Sequence, residues 1–108
     1  MRWAALTDAG SVVALMAGLA PEKPSAEVRN FPAMLRDCPD WRRRLAEGAV
    51  ADLAAIMEPG LAALMAINAR GADPRPAAQA LWREFSNSRS AILDLLPKSG
   101  NMGPRRAA

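Results

Sequence analysis

Residues 40–71, DWRRRLAEGAVADLAAIMEPGLAALMAINARG, decide the fold. The stretch is introduced by Asp37-Cys38-Pro39-Asp40, which offers a cap residue, a proline suited to a first turn and acids at the positive end of a helix dipole. Trp41, Leu45, Ala49, Leu53, Ile56, Leu61, Leu64 and Ile67 then recur at helical spacing, and Gly71 is the natural stop. Asp40 lies three and four residues before Arg43 and Arg44, and Arg43 four before Glu47. These are surface ion pairs worth a few tenths of a kcal/mol each. Glu58-Pro59-Gly60 breaks the pattern. Proline removes an N–H and collides with the carbonyl four residues back, so a kink or two consecutive helices are expected there.

Downstream, Asp73-Pro74 restarts the pattern, and Ala77, Ala78, Leu81, Trp82, Phe85, Ile92, Leu93 and Leu96 form an apolar stripe that ends at Pro97. The short link around Gly71 makes the two long elements antiparallel neighbours. Upstream, Ser25 can cap a short element carrying Val28, Phe31, Met34 and Leu35. Pro32 argues that this helix properly begins near Asn30. Thr7 or Asp8 can cap a first helix over 9–19, weakened by Gly10 and Gly18 and ended by Pro21 and Pro24. No strand-like alternation or internal repeat occurs. The expected fold is all-α: a small helical bundle of three to five helices, with a long helix kinked or split at Pro59 and an antiparallel C-terminal helix. It forms a single domain over 1–97, followed by a flexible basic tail over 98–108.

At 108 residues the chain is one domain. It is 51% hydrophobic, but 24 residues are alanine, with two phenylalanines, three tryptophans and no tyrosine. Such a core is thin, and pairing with a second copy is one remedy. The net charge is +3. Lys98, Arg105 and Arg106 lie beyond Pro97, where no acid occurs, so residues 1–96 balance eleven cations against eleven acids. The basicity is therefore a property of the tail and not of a folded patch. Arginine supplies twelve of the fourteen cations, the bias expected of a GC-rich bacterial genome.

Histidine is absent. Triads built on histidine and the usual zinc sites are thereby excluded. The single cysteine, Cys38, makes no internal disulfide and sits near Asp37 and Asp40, a negative setting unsuited to a thiolate nucleophile. No Gly-rich phosphate loop is present. Carboxylates occur at no recognised catalytic spacing, so no catalytic residue, no metal ligand and no cofactor is expected. The N-terminal stretch has an apolar run and a small-residue end, but Asp8 and Pro21 argue against a leader. No apolar run in the sequence approaches the roughly 20 residues of a membrane helix. A cytoplasmic protein without a membrane partner is expected.

Three functional readings follow. Ala51/Ala55 and Ala62/Ala66, small residues four apart, allow close helix approach. Together with Trp82 they make Ala62 and Ala66 candidate interface residues of a non-enzymatic interaction or regulatory module, a homodimer or the partner of another protein. The second reading is a DNA-binding regulator, with Lys98, Arg105 and Arg106 as the nucleic-acid arm and Arg75, Gln79 and Arg83 as thinner candidates after a helix-turn-helix-like turn. The third is a small-ligand pocket at the Pro59 kink, built from Glu58, Ser86, Asn87, Ser88 and Arg89.

Overall fold

A computed structural model describes residues 2–20 and 23–96, and every regular element in them is helical: α1 (Trp3–Met16), α2 (Ala26–Arg36), α3 (Asp40–Ala69) and α4 (Arg75–Leu93). The expected tail over 98–108 lies outside the described residues, as does Pro97.

α1 begins six residues before the predicted start. Thr7 and Asp8 are interior, not caps. The Thr7 hydroxyl donates back to the Trp3 carbonyl at 3.1 Å, and Ser11 to the Thr7 carbonyl at 3.3 Å, so both hydroxyls are absorbed within the helix. The helix ends at Met16, earlier than expected, because Gly18 adopts a left-handed φ of 82°. That turn lets the Leu19 N–H reach the Ala14 carbonyl at 2.9 Å and the Gly18 N–H reach Leu15 at 3.0 Å.

α2 is capped as predicted: the Ser25 hydroxyl accepts from the Val28 N–H at 3.2 Å. It starts at Ala26, however, and not near Asn30, so Pro32 falls in its interior. A proline there cannot donate to the carbonyl of Val28. The Trp3 indole N–H occupies that carbonyl instead, at 2.7 Å. The Trp3 ring also stacks on Phe31, with centroids 4.1 Å apart. One side chain thus repairs the helix and ties the start of α1 to α2.

α3 runs unbroken through Pro59 for 30 residues, so the expected division into two helices does not occur. Pro59 is solvent-exposed, and Gly60 beside it opens the inner side to Leu81 of α4. A Cβ at Gly60 would lie 2.8 Å from a Leu81 methyl. The C-terminus closes at Gly71, φ 77°, with Ala72 N–H to Ile67 carbonyl at 3.1 Å and Gly71 N–H to Asn68 carbonyl at 3.0 Å. The chain re-enters a helix directly: the Asp73 carboxylate accepts from the Arg75 N–H at 3.0 Å. Gly60 meets Leu81 while Leu53 shares a groove with Ser88, so the numbering runs in opposite directions and α3 and α4 are antiparallel.

The core is filled by Leu6, Val13, Phe31, Leu53, Met57, Leu64 and Phe85. α1 packs chiefly on α4, with the Phe85 ring so close to Gly10 that a Cβ there would sit 2.5 Å from it. No polar or charged side chain among the described residues is buried.

Candidate interaction surface on the long helix

The buried residues of α3 are Ala46, Leu53, Ala54, Met57 and Leu64. At about 100° per residue they share one side of the helix. Trp41, Gly48, Ala55, Pro59, Ala62 and Ala66 fall on the opposite side, and all but the glycine carry side chains turned to solvent, while the exposed Met65 lies on a flank between the two sides. Three large apolar side chains stand out on this helix: Trp41 is 62% exposed, Leu45 52% and Met65 60%. Near the centre of the face the charges are few. Arg44 and Asp52 flank Gly48, and Arg70 follows the helix end.

The two ion pairs predicted for Asp40 form, while Arg43 turns to Asp40 and not to Glu47. Asp40 pairs with Arg43 through one carboxylate oxygen and with Arg44 through the other, at 3.3 Å for Arg44. The Arg42 guanidinium lies 5.1 Å from the centroid of the Trp41 ring. These contacts are exposed, and pairs of this kind contribute little to stability.

Because the helix does not break at Pro59, α3 contains a stretch long and apolar enough to cross a membrane by length and composition, and only 22% of that 18-residue window is buried. The expectation that no such stretch exists is corrected. The apolar residues on the two sides of Pro59 lie on one continuous helix. Asp52 and Glu58 still lie within this part of the helix.

The structure separates the predicted interface residues. Ala62 and Ala66 lie on the outward face of α3 and do not serve the packing of α4. Trp82 is half-buried elsewhere, its ring 5.6 Å from Phe85, in a crevice shared with Thr7, Ser11 and Ala14 of α1.

The residues predicted for a ligand pocket are not brought together around Glu58. Gly60 faces α4, and a residue two positions away points to roughly the opposite side. Glu58 is exposed and lies on the side of α3 roughly opposite Gly60. Arg89 instead covers aromatic rings, 5.0 Å from Phe85 and 5.9 Å from Trp82. The open groove between α3 and α4, about 290 Å³, takes its polar groups from Asp52 and Ser88 and is otherwise apolar, with Ile56 and Ile92 in its walls.

Two of the candidate DNA readers also have structural roles. The Gln79 amide donates to the Ala17 carbonyl at 3.2 Å, closing the end of α1, and the Arg75 stem lies along Gly18. Lys98, Arg105 and Arg106 lie outside the described residues. Among the described residues, no three Cys, Asp or Glu side chains cluster as metal ligands.

Two readings missed at the level of sequence were the Trp3 anchor and the role of Gly10. The spacing of Pro32 and Val28 was a usable signal, since an interior proline always frees the carbonyl four residues before it. No family model matches the chain, and no curated protein or solved structure matches it.

Proposed function

We propose that this chain is a non-enzymatic helical interaction module that pairs with a second copy of itself through the outward face of α3, and that it acts in the cytoplasm. The observation that supports this reading is the direction in which α3 presents its residues. The small residues Ala55, Ala62 and Ala66 and the large apolar Trp41 share this outward face and are exposed, and Leu45 and Met65 are exposed on its opposite flanks. A contiguous exposed apolar face is the kind of surface that marks an association site. A second helix covers it better than lipid does, because Asp52 and Glu58 would each cost about 2.5–3.5 kcal/mol near a bilayer centre.

Native mass spectrometry and sedimentation across a concentration series test the reading. The expected result is a species of twice the 11.5 kDa chain mass, lost in Ala55→Glu, which places a carboxylate at the middle of the face without touching the core. A chain that stays monomeric up to about 1 mM, the range where association free energy falls to roughly 4 kcal/mol, would end it.

A further inference from the structure

Four of the five described glycines have a reason inside the chain. Gly18 and Gly71 hold left-handed turns, and Gly10 and Gly60 admit Phe85 and Leu81. Gly48 has none: its φ is not positive, and a Cβ placed on it would meet no atom within 4 Å. Glycine within a helix is less stable than alanine there, and nothing in the monomer offsets this. Gly48 also sits at the centre of the outward face of α3, between the exposed Trp41 and Ala55.

We infer that α3 crosses the α3 of a second copy in antiparallel fashion at Gly48, with Arg44 of each copy meeting Asp52 of the other. The inference rests on the self-association reading above and specifies its register. Three spacings carry it. Arg44 and Asp52 stand four residues to either side of Gly48. Trp41 and Ala55 stand seven to either side, and Leu45 and Ala51 three. A two-fold axis at Gly48 therefore sets opposite charges level with each other and a large apolar side chain level with a small one in both remaining pairs. A parallel pairing would instead set Arg44 against Arg44 and Asp52 against Asp52. The missing Cβ lets the two backbones approach at the crossing. Arg44 is available for this exchange: its side chain is 79% exposed and its only described ion pair, with Asp40, is a surface contact at 3.3 Å.

Sedimentation equilibrium of the full chain and five variants tests the register. Arg44→Glu and Asp52→Arg should each weaken the dimer by about fivefold or more, since close like charges oppose association. The double variant should return to near the wild-type constant, because antiparallel pairing restores both contacts. Gly48→Ala should weaken the dimer by about tenfold while raising the melting temperature of the dilute monomer. Opposite signs in the two readouts separate an interface role from a folding defect. If the double variant stays as weak as the singles, antiparallel pairing is overturned. A dimer indifferent to Gly48→Ala and Arg44→Glu but lost in Ala66→Leu overturns the register and leaves self-association standing. A wild-type chain that is monomeric throughout, or that leaves the dimer to float with phosphatidylcholine vesicles, overturns both.

Discussion

The Trp3 indole donates to the carbonyl of Val28 at 2.7 Å, and that carbonyl is the one whose helical donor Pro32 removes. A defect in one helix is thus filled by a side chain 25 residues away, and the filling orders two helices at once. A buried carbonyl without a partner costs about 1–3 kcal/mol, so the pair defines a coupled unit.

Trp3→Phe keeps an aromatic ring for stacking on Phe31 but removes the donor. Denaturant unfolding of the dilute monomer should show a loss of about 1–3 kcal/mol. In a Pro32→Ala background the backbone N–H regained at that position can serve the Val28 carbonyl, and the same change should then cost less by about 1 kcal/mol. A double-mutant cycle that closes with no coupling would show that the indole bond is idle.

Alanine scanning of the glycines should give different signs for one chemical change. Gly10→Ala drives a methyl into the Phe85 ring and should destabilise by about 1–3 kcal/mol. Gly71→Ala meets no atom within 4 Å but is held at φ 77°, and the left-handed strain should cost about 1–2 kcal/mol. Gly48→Ala should stabilise the monomer by about 0.5–1 kcal/mol. Melting temperatures at low concentration read all three.

Pro59→Ala should stabilise the chain. The helix already runs through this position and the proline ring is exposed. Alanine adds the hydrogen bond to the Ala55 carbonyl and relieves the ring's clash, a gain of about 1–3 kcal/mol in unfolding free energy. A loss of stability would mean that the proline ring serves the packing of Gly60 on Leu81.

Gln79→Leu removes the amide that closes α1 at Ala17 while keeping side-chain bulk. The expected loss is about 1 kcal/mol, with faster amide exchange confined to the last turn of α1. Uniform exchange throughout the protein would assign Gln79 no local role.

The all-helical class, the antiparallel long pair, the Ser25 cap, the stop at Gly71 and the Asp40 ion pairs were all legible in the sequence. Each depends on neighbours within about one helical turn, where spacing alone sets the geometry. The interior prolines were misread for the opposite reason. Whether a helix survives Pro32 or Pro59 depends on what lies beside it in space: an indole from α1 in one case, and solvent with a glycine notch for Leu81 in the other. The alanine spacing in α3 was visible as a pattern that allows close approach, but a pattern of small residues carries no direction. Only the placement of Met57 and Leu64 in the core turns Ala62 and Ala66 outward. Composition and local spacing therefore determined that this chain is helical and where its long helix stops. Tertiary packing decided which helices stay whole and which side of α3 is left facing water, because those outcomes depend on contacts between residues that sequence distance does not relate.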